Sequence, residues 1–426
     1  LAVAPGDGGI KLLIEALARG IPLRRISVSM PLYRLGQGCR QQRLWRGFTS
    51  YTSHIGTIAA THKSVANELL RSVGLPVARQ RRVGDFASAK QAAAEIGFPV
   101  VVKPAATDYG TAVTTGIQNE EDLLPAFSQA RQHGAVLVEE QLPGADYRLV
   151  VVNGRLTSAI RREPAQVIGD GASDMGALVA RLTAKRRSDP EVAPYGSPSL
   201  ADPLVQETLR RQGLASESIP APGQVVLLRT NANVSTGGSF VNVTADVHPD
   251  NALLAVRAAA CLGLDHAGID LITPDICQPW HLIKCGICEI NPTPGMNSFA
   301  IGSLLDDLFP SGSDGRIPVV LVVGDASATE VVETLAGWAR EAGRTPGTVH
   351  GGVARIGGQF ACRDTRPTTS LLDFVLADAS VGFVVVHITV DEVLQSGLRL
   401  SECDLAVFPA GEETYQAVAA SAIAPL

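Results

Sequence analysis

The chain has 426 residues, of which 46% are hydrophobic and 18% charged, and its formal net charge is −6. This length allows about two to four domains, and the composition, which includes 42 glycines, is typical of a folded α/β protein rather than a disordered one. The negative net charge argues against a nucleic-acid partner, and no run of about 18 uninterrupted apolar residues predicts a membrane span.

The start of the chain and its cysteines both favour a cytoplasmic protein. The opening LAVAPGDGG has neither the charged region nor the apolar core of a signal peptide. Seven cysteines, an odd number, favour reduced thiols. Cys285 and Cys288 have the C-x2-C spacing of a zinc knuckle or a redox pair, but they lie in an apolar run without a second C-x2-C or an H-x3-H after them. We therefore interpret both as core residues.

Periodicity predicts alternating helices and strands in the N-terminal half. The predicted helices are residues 9–19, 64–73, 88–96 and 120–133. The predicted strands are residues 23–35, 97–104, 136–140, 146–152 and 155–162. Asn153-Gly154 is a strong two-residue turn signal and joins the last two strands into a hairpin.

The second half begins with a weakly patterned segment. Residues 169–217 are polar and predict one helix and a long loop, of the kind that is usually functional or mobile. A strand at 224–229 and a helix at 249–262 follow. A boundary is predicted at residues 310–316. Beyond it lie a strand at 317–324, a helix at 329–342 and a strand at 381–388, which predict a βαβ unit with a parallel sheet.

The most specific chemical pattern lies in AGID (residues 267–270) and GICEINPTPGMNSF (residues 286–299). Asp270 ends one apolar run, and Glu289 and Asn291 alternate along the next, so they face the same side of a strand. A hairpin that pairs the two runs would place Asp270 beside them. Three hard oxygen ligands suit Mg²⁺, which proteins hold with few carboxylates plus substrate phosphates. The two segments therefore predict a metal–nucleotide site.

Other polar residues allow two interpretations when each is taken alone. Lys103, at a strand end, either extends to solvent or binds phosphate. Glu139 and Glu140 either contact adenine and ribose at a hinge or lie in a solvated loop. The pair Arg161 and Arg162 suits phosphate, although surface charge is the simpler reading. After Arg229, the segment NANVSTGG is either an anion-binding turn or an ordinary loop.

The order of these residues resembles that of an ATP-grasp carboxylate–amine ligase with the D-alanine–D-alanine ligase fold. Within that superfamily, long stretches between about residues 16 and 299 resemble cyanophycin synthetase. The shared phrases are RGIP, THKSVANELLRSVGLPV, FPVVVKP, VEEQLPGADYRLVVVNGRL, RREPAQVIGDG, LRTNANVSTGG, HPDN, LGLDHAGIDL and EINPTPGM.

The resemblance implies an ATP-dependent reaction with Mg²⁺, in which a substrate carboxylate is phosphorylated and an amine then attacks the acyl phosphate to form an amide. Positioning and charge neutralisation supply most of such catalysis. The resemblance implies that Lys63 and Lys103 bind the nucleotide phosphates, and that Glu139 and Asp146 bind adenine and ribose. It implies Mg²⁺ binding for Asp270, Glu289 and Asn291, and stabilisation of the phosphoryl group and acyl phosphate for Arg161 and Arg229. Contact with substrate is implied for Ser235, Thr236, Gly237 and Gly238.

From about Ile317, the C-terminal region resembles the start of the Mur-ligase-like domain of the same synthetases. The family's P-loop, GTNGKTTT, is GDASATE here, so the lysine is missing and Asp325 and Glu330 would repel phosphate. The family's ETARGG is HITVDE at residues 387–392. We therefore expect residues 316–426 to be a truncated, catalytically inactive domain that serves as a scaffold or in dimerisation.

The expected fold class is α/β, with an α+β ATP-grasp fold followed by a Rossmann-like or P-loop-like parallel-sheet domain. The expected divisions are residues 1–60, a remnant of an N-terminal domain, then 61–310, the ATP-grasp domain, and then the C-terminal domain. The resemblance also implies a homodimer or larger homo-oligomer.

Three departures bear on the substrate. The family's GNHGRGV loop is TDYGTAV at residues 107–113, most of the polymer-recognition domain is missing, and residues 185–199 lack the family's PRRG-and-His pattern. Relatives with an inactive Mur-like half are thought to join ready-made β-aspartyl-arginine dipeptides, which is the variant expected here. The alternatives are a ligase with a small discrete peptide or amide product, or a non-catalytic nucleotide-binding subunit.

Overall fold

The computed structural model describes residues 7–105, 112–189, 192–193, 195–232, 234–295, 298–310, 313–325, 328–363, 368–396 and 402–408. Their contacts divide the chain into two compact units. One unit joins Leu1–Ser50 to Leu305–Leu426, and the other is Tyr51–Leu304. In the part of the chain that is described, no helix is long and apolar enough to cross a membrane.

The N-terminal part of the first unit contains a helix and a small antiparallel sheet of order β1-β2-β3. Its elements are α1 (Asp7–Ala18), β1 (Leu23–Arg25), β2 (Leu32–Leu35) and β3 (Gln42–Trp45). Non-local main-chain hydrogen bonds tie this part to the C-terminal part of the same unit. Gln37 N donates to Gly315 O at 2.8 Å, and Cys39 N donates to Val381 O at 2.7 Å.

The second unit begins with a four-stranded antiparallel sheet of order β4-β7-β5-β6. Helices α4 and α5 bury alanine-rich faces against it, and each begins at a polar residue, Asp85 or Asn119, whose side chain accepts a helix N–H. The elements are α2 (His54–Thr61), α3 (Lys63–Ser72), β4 (Gln80–Val83), α4 (Phe86–Ile96), β5 (Val100–Pro104), β6 (Thr114–Ile117), α5 (Glu120–Arg131) and β7 (Val136–Glu140).

A five-stranded antiparallel sheet of order β12-β9-β8-β13-β14 forms the centre of the second unit. A smaller cluster of β10, β11, α6 and α7 packs around Met175. The elements are β8 (Ala145–Val152), β9 (Arg155–Glu163), β10 (Gln166–Ile168), α6 (Met175–Ser188), α7 (Pro203–Arg211), β11 (Val225–Leu227), β12 (Ser239–Asn242), α8 (Pro249–Cys261), β13 (His266–Thr273), β14 (Gly286–Asn291) and α9 (Ser298–Leu308), the last of which crosses the unit boundary.

The two faces of the five-stranded sheet differ in chemistry because side chains alternate along each strand. Tyr147, Leu149, Ile269 and Leu271 are buried on one face, in a core that includes the alanine-rich side of α8. The residues between them, which include Asp270, lie on the other face. One face therefore stabilises the sheet, and the other is free for polar chemistry.

The C-terminal part of the first unit is a six-stranded mixed sheet of order β18-β17-β16-β19-β15-β20. Strands β15, β16, β19 and β20 are parallel. Helices α10 and α11 each pack apolar side chains against strand residues of this sheet, and they do so in two separate clusters. The elements are β15 (Val319–Val323), α10 (Thr329–Glu341), β16 (Pro346–His350), β17 (Val353–Ile356), β18 (Gln359–Arg363), α11 (Thr368–Ala377), β19 (Phe383–Ile388), α12 (Val390–Ser396) and β20 (Leu405–Val407).

The α/β class, the β8–β9 hairpin, the β13–β14 pair and the parallel C-terminal sheet confirm the sequence predictions. The prediction for residues 169–217 was wrong, because α6 and α7 are two helices rather than one. Strands β16 to β18 were not predicted. The division at residues 60 and 310–316 stays a prediction, and the contacts instead group residues 1–50 with the C-terminal part.

Candidate active site

The predicted metal ligands meet on the paired strands β13 and β14. Asp270 lies opposite Glu289, and Gly268 lies opposite Asn291. The Asn291 amide nitrogen is 3.5 Å from Asp270 Oδ2. The register shifts after Asp270, so Cys288 has no partner across the strand pair. Such bulges are common beside active sites, because they redirect a side chain.

Two arginines that the sequence did not single out for this cluster bind Asp270. Arg148 on β8 lies directly across from it and contacts both carboxylate oxygens, with Nη2 3.0 Å from Oδ2. Arg162 on β9 reaches the same Oδ2 at 3.0 Å and donates to Asp146 Oδ1 at 2.7 Å. In the regular register of the predicted two-residue hairpin, Asp146 would lie opposite Arg161. A bulge between Val150 and Val151 shifts the pairing by one residue and places Arg162 opposite Asp146 instead, so the sequence carried no signal for Arg162.

Burial and these charges shift the pKa values of the three carboxyl groups in different directions. Burial alone would raise the pKa of Asp270, but the Arg148 and Arg162 guanidiniums hold it below its ordinary value. Burial raises the pKa of Asp146 in spite of Arg162. Burial likewise raises the pKa of Glu289, against the opposing effect of Lys63. Asp270 is therefore the carboxylate best stabilised in its charged form.

The two predicted phosphate-binding lysines approach carboxylates. Lys63 begins α3, and its Nζ is 3.9 Å from Glu289 Oε1. Lys103 at the end of β5 lies 2.5 Å from Glu139 Oε2, with both side chains almost completely buried. Burial lowers the pKa of Lys103, but Glu139 and neighbouring groups raise it overall. Its ammonium group therefore does not extend to solvent, which excludes the interpretation of Lys103 as a surface lysine.

Glu139 and Asp146 lie on different sheets. Glu139 is on β7 beside Lys103, whereas Asp146 is on β8 in the Asp270 cluster. Glu140, the neighbour of Glu139, binds Arg79 and Lys284, at 3.2 and 2.7 Å. The adenine and ribose roles of Glu139 and Asp146 stay predictions.

The two arginines predicted to stabilise the phosphoryl group pair with carboxylates other than Asp270. Arg161 lies opposite Tyr147, on the other face from Arg162, and its guanidinium is 2.8 Å from Glu163. Arg229 is largely buried and contacts Asp202. The bulge in the β8–β9 pair thus brings Arg162, rather than Arg161, to the face that carries Asp270. The catalytic roles of Arg161 and Arg229 stay predictions.

The predicted substrate loop precedes β12. Residues 234–236 form a short 3-10 helix, and Thr236 Oγ1 donates to Asn231 at 2.8 Å. The side chain of Ser235 is outside the described part, whereas Gly237 and Gly238 are described and buried. In the TDYG segment, residues 106–111 lie outside the described residues.

The donor set fits Mg²⁺. Asp270 and Glu289 supply carboxylate oxygens and Asn291 an amide oxygen, all from two adjacent strands. Across the residues that the structure describes, no three or more His, Cys, Asp or Glu side chains are grouped to hold a metal. A site with two carboxylates and one amide leaves positions for phosphate oxygens and water, as Mg²⁺ prefers.

Comparison with known proteins points to one superfamily. A family model described as the carbamoyl-phosphate synthase L chain, ATP binding domain, matches residues 62–148. The cyanophycin synthetase of Synechocystis sp. is 31% identical over 422 residues, which cover 95% of this chain and 48% of that protein. That of Crocosphaera subtropica is 30% identical over 410 residues, covering 93% and 47%. The chain thus spans about half the length of these relatives.

A second group of relatives is involved in glutathione synthesis. The glutathione biosynthesis bifunctional protein GshAB of Pasteurella multocida is 32% identical over 297 residues, covering 67% of this chain and 39% of that protein. The crystal structure of a bifunctional glutathione synthetase from the same organism matches 71% of this chain and 44% of its own, with a TM-score of 0.54 and 29% identity. By sequence, this chain is a relative of the cyanophycin synthetases and carries an ATP-grasp domain, and its fold is similar to that of a bifunctional glutathione synthetase.

Proposed function

We propose that the chain is an ATP-dependent carboxylate–amine ligase of the cyanophycin-synthetase type. It would form an amide through an acyl phosphate, on aspartate- and arginine-containing peptides such as β-aspartyl-arginine. The observation that carries this proposal is the convergence of Asp270, Glu289 and Asn291 on one hairpin, with Lys63 close to Glu289. The similarity to cyanophycin synthetases along most of the chain supports the same function.

Each charged group has a defined task under this proposal. Lys63 and Lys103 would bind the nucleotide phosphates. Asp270, Glu289 and Asn291 would hold Mg²⁺, which when bound neutralises phosphate charge. Arg148 and Arg162 hold the Asp270 carboxylate in its ionised form, as its lowered pKa reflects. They also keep positive charge at the sheet face where the phosphoryl group would be transferred.

The choice of substrate class follows from the C-terminal part. Its loop at residues 324–330 has no lysine, so a second site for ATP is not expected there. Under the proposed function, a chain with one working ATP site would need a substrate in which aspartate and arginine are already joined. β-Aspartyl-arginine meets that requirement.

The test is peptide-dependent release of phosphate from ATP with Mg²⁺, using β-aspartyl-arginine and other short peptides. Glu289→Gln and Asp270→Asn should each lower the rate by about 100-fold or more, because each removes a charge that positions the phosphates. The matched control is Glu68→Gln, an exposed position on α3, which should leave the rate within about twofold. No turnover with any peptide would contradict the proposal.

A second candidate is a ligase with a small discrete product. The similarity to the glutathione proteins over about two thirds of the chain favours this alternative. The mass of the product separates the two. A polydisperse, insoluble product supports the first function, and a single short peptide or amide supports the second. Binding of ATP with Mg²⁺ but no turnover with any substrate would instead indicate a non-catalytic subunit.

A further inference from the structure

Arg186 on α6 is a buried cation whose partners are main-chain carbonyls. Its side chain is only 4% exposed. Nη1 donates to the carbonyl oxygens of Gly237 at 3.0 Å and Gly238 at 2.5 Å. Nη2 donates to those of Gly196 at 3.1 Å and Val234 at 3.0 Å. One guanidinium therefore binds two loops, and three of its four acceptors belong to the segment that precedes β12.

These bonds fix the direction of the amide groups in that segment, which we call the 234–239 loop. In a planar trans peptide, the N–H of each residue points opposite to the carbonyl of the residue before it. The carbonyls of Val234, Gly237 and Gly238 point toward Arg186, so the N–H groups of the next residues, Ser235, Gly238 and Ser239, point away from it. The N–H of Ser239 points into the ladder with Glu163 on β9, which leaves those of Ser235 and Gly238 for a ligand. Amide N–H groups presented together by a short turn form a site for anions.

The 234–239 loop ends beside the Asp270 cluster. Ser239 begins β12 opposite Glu163, and Phe240 lies directly across from Arg162 on β9. Arg162 in turn binds Asp146 and Asp270. Because adjacent strands are about 4.8 Å apart, the amide groups at the end of the loop lie close to the strand that carries Arg162.

The loop has little freedom to change shape. Gly237 has a φ of +99°, and a Cβ built on it would lie 2.5 Å from Cδ of Pro198. Only glycine fits there, so the loop is held between Pro198 and the Arg186 guanidinium. Burial disfavours the charge on Arg186 and lowers its pKa. The carbonyl bonds offset that cost, and without the cation these carbonyls would lose their buried partner.

We propose that Arg186 is a positioning residue. It shapes the 234–239 loop so that main-chain N–H groups of the loop bind the substrate peptide's carboxylate and the acyl phosphate formed from it. This inference rests on the proposed function. The 234–239 loop would bind the peptide, and Arg186 would act only by holding that loop in shape, without touching the substrate itself. The nucleotide end, at Lys63, Lys103 and Asp270, does not depend on Arg186.

The experiment compares Arg186→Met and Arg186→Lys with the adjacent exposed control Arg187→Met. Thermal unfolding first establishes that each variant is folded. Arg186→Met should raise the KM for β-aspartyl-arginine, or weaken its binding in calorimetry, by about 10- to 100-fold, because a misplaced loop costs roughly that much. Affinity for ATP with Mg²⁺ should stay within about twofold in every variant, as expected for a change outside the nucleotide site.

Arg186→Lys should be intermediate, because an ammonium group carries the charge but reaches fewer carbonyls. In Arg186→Ala, added guanidinium should restore peptide binding and tetramethylammonium should not. This rescue separates a positioning role from a general loss of folding, and Arg186→Lys, which keeps a buried cation, carries the test if Arg186→Met does not fold.

The outcomes separate this inference from the proposed function. Turnover with unchanged peptide KM in Arg186→Met, or equal losses of peptide and nucleotide binding, would overturn the role of Arg186. Peptide binding that depends on Arg186, without turnover in the unmodified protein, would support the cradle and contradict the ligase activity. An unmodified protein that neither binds nor consumes peptide would overturn both.

Discussion

Lys103 and Glu139 form a buried ion pair, with side chains only 11% and 7% exposed. Removing one partner leaves an unpaired charge in a site shielded from water. We predict that Lys103→Met lowers the free energy of unfolding by about 3–5 kcal/mol, and that adding Glu139→Gln recovers much of this loss. Urea denaturation of the two single variants and the double variant measures the coupling.

The matched control is an exposed lysine–glutamate pair in the same sheet-and-helix layer. Lys90 and Glu120 are 3.0 Å apart with side chains 44% and 59% exposed. Lys90→Met should cost about 0–1 kcal/mol, because water screens such pairs. Equal losses at Lys90 and Lys103 would show that burial does not set the strength of the Lys103–Glu139 interaction.

Glu140 gives a prediction with a defined pH range. Burial opposes its charge, but hydrogen bonds from Arg79 and Lys284 lower its pKa from 4.5 to about 2. A lowered folded-state pKa means that the stabilisation is fully present above the unfolded value and is lost as pH falls through the folded value. Glu140→Gln should therefore destabilise the protein at neutral pH, and the difference should shrink between pH 4.5 and about 2.

The expected difference at neutral pH is about 1–3 kcal/mol, once the exposure of the Arg79 and Lys284 side chains is allowed for. Urea unfolding of both proteins across this pH series measures it. A difference that stays constant from neutral pH to pH 4.5 and below would show that Glu140 contributes through packing rather than charge.

At the level of elements, strand β13 needs a glycine where Arg148 crosses it. A Cβ on Gly268 would lie 2.9 Å from Arg148 Cδ and 2.9 Å from Pro294 Cβ. We predict that Gly268→Ala destabilises the protein by about 1–3 kcal/mol through overpacking. It should also weaken the binding of ATP with Mg²⁺, because a displaced Arg148 guanidinium would no longer be placed to meet the nucleotide phosphates. Denaturation and calorimetry measure the two effects.

Gly84→Ala is the control for this substitution, since nothing lies within 4 Å of a Cβ at that position and its backbone needs no positive φ. It should change stability by no more than about 0.5 kcal/mol. If Gly268→Ala behaves like Gly84→Ala, the close approach of Arg148 to β13 does not matter for the site.

Strand periodicity was sufficient to predict the β13–β14 pair and the placement of Asp270 beside Glu289, because alternation sets which residues share a face and the two strands follow one another in the chain. It was not sufficient to choose between Arg161 and Arg162. Neighbouring residues on a strand face opposite sides, so that choice needs the register against Asp146. Arg186 was also missed, because the basic run at residues 185–187 does not reveal which side chain is buried.

At the scale of the whole molecule, the contacts divide the chain differently from its sequence pattern. Residues 1–50 group with the C-terminal part through bonds such as that from Cys39 N to Val381 O. A bond between residues so far apart leaves no local pattern. Strands β17 and β18 were missed for a different reason, since both are short and only partly buried.

The proposed nucleotide residues all belong to the unit Tyr51–Leu304, which gives a prediction for the whole chain. A non-hydrolysable ATP analogue with Mg²⁺, at about 100 times its Kd, should stabilise the state that binds it by about 2.7 kcal/mol. Hydrogen exchange should slow in β13 and β14, with little change in β15 and β19. Equal protection in the two units would show that they unfold together, and no protection in β13 would contradict the assigned site.

The two guanidiniums that bind Asp270 have a consequence for the order of ligand binding. Without ligand, the positive charges of Arg148 and Arg162 offset the repulsion between the neighbouring carboxylates at this end of the sheet. Under the proposed function, a divalent cation that arrives alone must compete with both arginines for one carboxylate. A polyphosphate offers those arginines other anions. Under that function, metal and nucleotide affinities would be thermodynamically linked, and each ligand would strengthen the binding of the other.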